Sequence, residues 1–79
     1  MADHVTSAQV RAARGLLNWS VRELSKRSGV HRNTITNFET GKSGGDERTV
    51  SAIREAFLAA GVTFLATNGV QWQTEDESS

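Results

Sequence analysis

The sequence contains no cysteine among its 79 residues, so neither a disulfide framework nor a thiolate metal site is available. Its apolar runs are only a few residues long, whereas a helix that crosses a bilayer needs about 20 apolar residues in a row. The N-terminal residues lack the basic-then-apolar order of a secretory signal peptide. These absences argue against a disulfide-stabilised or membrane-spanning fold. We expect a cytoplasmic chain that forms one small domain with a marginal core.

The chain also lacks net charge, with nine basic and nine acidic residues, but the two signs are segregated. The stretch from Arg11 to Lys42 contains seven basic residues and two acidic ones, a net charge of +5, and the remaining residues carry −5. A local excess of positive charge is typical of a surface that meets phosphates. The alternative interpretation is a set of charged helices that simply solvate a small protein.

The stretch over residues 20–42 predicts two short helices joined by a tight turn. Ser20 is a good N-cap, and Glu23 three residues later completes the pattern of a capping box. Leu24 then faces inward, in the middle of the first of the two helices. Gly29 adopts a positive φ at little cost, which suits the residue where the chain turns.

The second of these helices has two different faces. Val30, Ile35 and Phe38 supply the apolar side chains of one face. The opposite face carries four side chains that hydrogen-bond base edges, namely Arg32, Asn33, Thr36 and Asn37. Because a helix with such a polar face fits the major groove of DNA, the pattern predicts a recognition helix over residues 31–39.

The pattern resembles the helix-turn-helix of the Cro/CI-type repressors, the XRE family. The resemblance rests on Glu23-Leu24, the small residue Ser25, Gly29-Val30, Thr34-Ile35 and Phe38-Glu39-x-Gly41-Lys42. It extends back to the segment 10–14 and forward to about Phe57, which is more than half of the chain. Val21 stands where the family usually has a glutamine that grips a phosphate, and Ser28 stands at a usually apolar position. The first departure argues against one phosphate contact, and the second for a slightly looser motif core.

The resemblance implies a mainly α fold of the lambda-repressor type, with four helices and a DNA-binding surface. Base readout is expected from Arg32, Asn33, Thr36 and Asn37, and phosphate contacts are expected from Arg22, His31, Asn37, Lys42 and Ser43. For His31, an exposed first-turn residue and a pH sensor are the alternative roles. The resemblance also implies an ion pair between Arg14 and Glu39 that is largely shielded from water. The alternative is two surface charges that contribute less than about 1 kcal/mol.

Cap signals predict where the other two helices begin. Thr6 or Ser7 caps a first helix that runs to about Leu17. Asp46 caps a fourth helix that runs to about Ala59, with an acidic residue in its first turn.

A β-hairpin is predicted where the family commonly has a fifth helix. Residues 62–66 are β-branched and aromatic, residues 67–69 form a turn signal, and residues 70–73 alternate apolar and polar. The resulting plan is a flexible N-terminus over residues 1–5, a single domain over 6–73 and an acidic disordered tail over 74–79.

We expect the protein to form a homodimer, because one recognition helix reads only a few base pairs and small repressors pair on two-fold sites. A lone hairpin is marginal in water, and an exposed strand edge is a template for a second strand. The hairpins of two chains are therefore predicted to meet through Val62, Phe64, Leu65 and Trp72, with Trp72 near the seam. The alternative is a monomer in which the hairpin caps the helical core.

These features together predict a sequence-specific transcriptional regulator, a repressor of prokaryotic or phage type, that is associated with the nucleoid and binds double-stranded DNA. One alternative is the antitoxin of a toxin–antitoxin pair, which would also bind a toxin or another protein partner. A second is a protein-interaction module that has kept the fold without DNA binding. An enzyme is not expected, because no histidine or acid lies at a catalytic spacing and residues 41–43 lack the glycine spacing of a phosphate-binding loop. No cofactor and no metal ion are predicted.

Overall fold

The computed structural model describes residues 5–42, 46–66 and 68–72. Four α-helices are followed by an antiparallel hairpin, and the elements are α1 (Ser7–Leu17), α2 (Val21–Ser28), α3 (Arg32–Glu39), α4 (Glu47–Ala59), β1 (Val62–Phe64) and β2 (Val70–Trp72). The predicted fold class, four helices of the lambda-repressor type with a C-terminal hairpin, is confirmed. Within these residues, no helix has both the length and the apolar character needed to cross a membrane.

The first and fourth helices begin at the residues that the sequence indicates. Thr6 caps α1 in a reciprocal capping box, because its hydroxyl accepts the Gln9 amide at 3.1 Å while the Gln9 side chain accepts the Thr6 amide at 3.0 Å. Asp46 caps α4 by accepting the Thr49 amide at 2.8 Å. That hydrogen bond lowers the pKa of the Asp46 carboxyl below its ordinary value.

The core is a layer of apolar side chains between the four helices and the hairpin. Its buried members are Val5, Val10, Ala13, Leu24, Ile35, Phe38, Ile53, Phe57 and Val62. The Phe57 ring joins the helices to the hairpin, since it stacks on Trp19 at 5.4 Å between ring centres and meets Phe64 edge-on at 5.9 Å. Trp19, which precedes the cap of α2, is therefore a packing residue.

The hairpin is shorter than its sequence pattern predicts. The first strand ends at Phe64, so its predicted bounds 62–66 are too long, while the second strand is described to Trp72 and the last residue of its predicted bounds 70–73 lies outside the described residues. Leu65 instead begins the turn, where its amide donates to the Gly69 carbonyl at 2.9 Å, and Asn68 has a left-handed φ of 75°. The physical reason is that the chain needs Leu65 and Ala66 to reverse its direction. These two residues therefore belong to the turn, although the sequence pattern assigned them to the strand.

The two faces of the hairpin differ in polarity. Val62 and Phe64 lie opposite Trp72 and Val70 on one face of the hairpin, where Val62, Phe64 and Val70 pack on the core and the Trp72 indole donates to the Ala60 carbonyl at 3.2 Å. Val62 is only 1% exposed, so its side chain belongs to the core of this chain, and the predicted dimer through the hairpin stays a prediction. Of the other predicted dimer contacts, Phe64 is half-buried, whereas Leu65 and Trp72 are exposed, at 40% and 42%.

A buried glutamine on α1 holds the hairpin in place. Gln9 is 2% exposed, and its side-chain amide donates to the carbonyls of Leu65 and Gly69, both at 2.9 Å. Val5, which the sequence assigns to a flexible terminus over residues 1–5, is instead buried in the core, and the other residues of that segment lie outside the described residues. The predicted disordered tail over 74–79 lies outside the described residues.

Candidate nucleic-acid interface

The helix-turn-helix is built from α2, α3 and the turn between them. Ser20 caps α2 by accepting the Glu23 amide at 3.0 Å, but the Glu23 carboxylate accepts Arg27 at 2.6 Å, so the predicted capping box is only half formed. Gly29 ends α2 with φ of 78° and donates its amide to the helix. The Ser28 hydroxyl accepts the Val30 amide at 3.1 Å, so this departure from the family's apolar pattern adds a hydrogen bond inside the turn.

The third helix separates its side chains as the sequence predicts. Ile35 and Phe38 are buried in the core, and Val30, just before the helix, packs against it. The four predicted base-reading residues are all exposed on the opposite side, namely Arg32, Asn33, Asn37 and Thr36. An α-helix with a buried apolar face and an exposed face of amide, hydroxyl and guanidinium groups has the shape and donor chemistry that the major groove accepts.

His31 caps the start of α3 with its imidazole. Its Nδ1 accepts the Asn33 amide at 3.1 Å, and the residue is exposed. Because Nδ1 acts as the acceptor, Nε2 is the ring nitrogen that remains to donate a hydrogen bond at the end of the helix. That donor, together with the positive end of the helix dipole, is suited to a phosphate oxygen.

The far end of α3 is closed by a Schellman motif. Gly41 has φ of 81° and donates to the Phe38 carbonyl at 3.2 Å, while the Lys42 amide donates to the Asn37 carbonyl at 2.9 Å. Both amides are therefore used inside the protein, so Lys42 offers its exposed ammonium rather than its main chain. Ser43, predicted to contact phosphate, lies outside the described residues.

A bidentate ion pair fixes α1 to the end of α3. Arg14 donates to the two carboxylate oxygens of Glu39 at 2.8 and 2.9 Å, and a third bond reaches the Trp19 carbonyl at 3.0 Å. The side chains are 23% and 7% exposed, so the pair is largely shielded, as the resemblance implies. Hydrogen bonding to Glu39 raises the pKa of Arg14 above its ordinary value, against a smaller opposing effect of burial.

The cations of residues 11–42 divide into those with a partner within the protein and those without one among the described residues. Arg14 is paired with Glu39, and Arg27 is paired with Glu23 while its guanidinium lies 4.5 Å from the Trp19 ring centre. The cations for which the described residues provide no partner are all exposed, namely Arg22, Lys26, Arg32 and Lys42. Only part of the basic excess is therefore free to meet an anionic partner.

Two contacts made by α1 are not predicted by any pattern in the sequence. Arg11 donates to the main-chain carbonyl of Glu39 at 2.6 Å, and Gln9 holds the hairpin turn through its side chain. The sequence indicated only that Arg11 belongs to the basic stretch and that Gln9 lies in the first turn of a helix. Neither partner is a side chain with complementary charge, so no pairing pattern in the sequence indicates them.

Comparison with known proteins assigns the family. The sequence profile for the helix-turn-helix matches residues 10–57, which is more than half of the chain and includes all of α2 and α3 and most of α1 and α4. No curated protein matches the chain as an individual relative. With its buried Arg14–Glu39 pair, its glycine turn and its exposed polar helix, the chain belongs to the helix-turn-helix family of DNA-binding regulators, in its Cro/CI-type (XRE) branch.

Proposed function

We propose that this protein is a transcriptional repressor that reads specific sequences in the major groove with α3, acting in the cytoplasm on nucleoid DNA. The observation that carries the proposal is the division of α3 into a buried apolar face and an exposed face of hydrogen-bonding side chains. Arginine pairs best with guanine edges and asparagine with adenine edges, so this face has the chemistry for direct readout. Arg22, His31 and Lys42 would contact phosphates beside it.

Substitution on the exposed face tests the readout. Asn33→Ala or Arg32→Ala should weaken binding to the selected operator by about 1–3 kcal/mol and relax the preference at one or two base pairs. Binding-site selection from random duplex DNA, run with each variant, measures both effects. Ser51→Ala, an exposed change on α4, is the matched control and should return the unaltered motif. The same motif from the α3 variants would contradict the assignment of the reading face.

The salt dependence of binding separates a DNA-binding protein from a fold used only for protein contacts. The two cations proposed to contact phosphates, Arg22 and Lys42, correspond to a log–log slope of roughly −2 per protomer. Lys42→Ala should weaken binding to every duplex alike and reduce the slope by about one. A wild-type chain that binds neither random nor selected DNA at low salt would refute the proposal and favour the protein-interaction alternative.

We further propose that two copies associate through their hairpins, so that two recognition helices meet a two-fold operator about 34 Å apart. The described residues expose three large apolar side chains, Leu16, Leu65 and Trp72, and all three belong to α1 or the hairpin. Leu16 follows Gln9 by about two helical turns, so it lies on the flank of α1 that holds the hairpin turn. Exposed apolar side chains on α1 and the hairpin support a contact with another protein surface.

The edge of β2 supports the same association. Leu65 and Gly69 form a hydrogen-bonded pair, so the alternation of an antiparallel ladder directs the main-chain groups of Val70 and Trp72 away from β1. Among the described residues, no main-chain group bonds to this edge. A two-fold pairing of β2 with its copy would set Gln71 opposite Gln71, and it would bring no charges together.

Sedimentation velocity at micromolar concentration tests the dimer. We expect a dimer for the wild-type chain and a shift toward monomer for Leu65→Ser combined with Trp72→Ser, while Thr63→Ser on the polar face is the control. Point changes are preferable to truncation after residue 61, because Val62 belongs to the core. A monomeric wild type, or a double variant that remains fully dimeric, would refute this arrangement.

A further inference from the structure

Arg11 on α1 is a cation held at the end of the recognition helix. Its Nη1 donates to the Glu39 carbonyl at 2.6 Å, and the residue is exposed. The Schellman motif uses the carbonyls of Asn37 and Phe38, and Arg11 satisfies the next one. Its remaining guanidinium donors have no partner among the described residues. Arg11 therefore has a fixed position and spare hydrogen-bond donors.

The neighbouring ion pair leaves the charge of Arg11 uncompensated. Arg14 directs Nε and Nη2 to the Glu39 carboxylate and Nη1 to the Trp19 carbonyl, so its charge is neutralised within the pair. The cluster of Arg11, Arg14 and Glu39 thus carries a net charge of +1. It lies beside the last residue of α3, three positions before the exposed ammonium of Lys42.

We propose that Arg11 is a phosphate-binding residue that acts with Lys42 as a clamp at the C-terminal end of the recognition helix. This inference rests on the proposed DNA-binding function and adds a contact from outside the helix-turn-helix. The eight residues of α3 span about 12 Å, which is close to the width of about 12 Å of the major groove. A helix of that length in the groove brings its two ends toward the two bordering backbones, His31 toward one and the clamp toward the other.

The anchoring bond to Glu39 explains why Arg11 suits this task. A guanidinium already fixed by one hydrogen bond loses less side-chain freedom when it binds a second group. Its planar donors also fit two phosphate oxygens at once, which an ammonium does not achieve. The bond further ties any phosphate held by Arg11 to the position of α3, so the contact helps to set how deeply the helix enters the groove.

The test is the salt dependence of binding to a duplex of random sequence, measured by fluorescence anisotropy between 50 and 200 mM salt. Arg11→Met should reduce the size of the log–log slope by about 0.9. The loss of affinity between 50 and 200 mM salt should then be about 3.5-fold smaller for the variant than for the wild type. Arg11→Lys should keep the slope, because the charge is retained. Arg27→Met is the matched control, since the Arg27 guanidinium is already held by Glu23 and Trp19, and its slope should equal that of the wild type.

Arg11→Gln removes the charge but keeps an N–H donor near the Glu39 carbonyl, and it replaces Arg11→Met if circular dichroism shows that the latter is unfolded. A folded neutral variant with the wild-type slope would overturn the proposal and leave Arg11 as a cap of α3 only. A reduced slope in Arg27→Met as well would overturn it too, because the effect would then reflect net charge. A wild-type chain that fails to bind DNA refutes the proposed function itself, which is a separate result.

Discussion

Removing Arg14 should cost far more stability than a surface ion pair contributes. Arg14→Met leaves the Glu39 carboxylate, 7% exposed, without the two hydrogen bonds that hold its charge in the interior. Breaking a fully buried pair costs roughly 3–5 kcal/mol, whereas exposed pairs contribute about 0–1 kcal/mol. Because Arg14 itself is 23% exposed, we expect a loss of about 2–3 kcal/mol in the free energy of unfolding.

Thermal unfolding followed by circular dichroism measures this loss. For a domain of this size, a loss of about 2–3 kcal/mol corresponds to a fall of roughly 10–20 °C in Tm. The double variant Arg14→Met with Glu39→Gln provides the control, because it removes the charge that the single change leaves buried. We expect the double variant to recover a substantial part of the loss, and a double-mutant cycle with Glu39→Gln gives the coupling energy.

Two results would refute this reasoning. If Arg14→Met lowers Tm by only a few degrees, the pair behaves as two surface charges. If the double variant is as unstable as the sum of the two single variants, the stranded carboxylate is not the cause. The loss would then come from the third hydrogen bond of Arg14, to the Trp19 carbonyl, or from its packing.

Glycine, glutamine and aspartate substitutions provide three further tests of the fold. Gly29→Ala should destabilise the fold by about 1–2 kcal/mol, because Gly29 has a left-handed φ. Gly15→Ala should stabilise the fold by roughly 0.5–1 kcal/mol, because Gly15 lies in a helix with open space around it. Chemical denaturation measures both changes in the free energy of unfolding. Gln9→Ala should cost about 1–3 kcal/mol, because it removes two hydrogen bonds from α1 to the turn carbonyls of Leu65 and Gly69, and amide exchange in the hairpin should accelerate more than in α3. Asp46 has a lowered pKa in the folded protein, so its contribution is full above its unfolded pKa and is lost as the pH falls through the folded one. Asp46→Asn should therefore flatten the fall of Tm below about pH 4, and an unchanged acid limb would contradict this account.

Local chemistry allowed most of the helical part to be predicted from the sequence. Ser20, Asp46 and Thr6 are side chains whose hydroxyl or carboxylate satisfies amides a few residues away, so they identify helix starts without any tertiary information. The two faces of α3 follow from the helical period alone. The Arg14–Glu39 pair was accessible only through the family resemblance, because no local rule joins residues 25 positions apart.

The remaining features depend on contacts that local patterns do not encode. Gln9 is a polar residue at a position that could equally face water, and only the arrival of the hairpin turn makes it a buried donor. Leu65 fits a strand by composition, but the geometry of the chain reversal places it in the turn. Glu23 fits a capping box, yet the nearby guanidinium of Arg27 competes successfully for its carboxylate.

The link from Gln9 to the hairpin turn also bears on how the protein is made. It joins residues 56 and 60 positions apart, and the entropy cost of closing a loop rises with its length. During synthesis the N-terminal helices leave the ribosome first, while the residues that bond Gln9 and the core residue Val62 are still unmade. In the nascent helices the Gln9 amide is therefore left to water and the core is open until the last dozen described residues arrive and complete the domain.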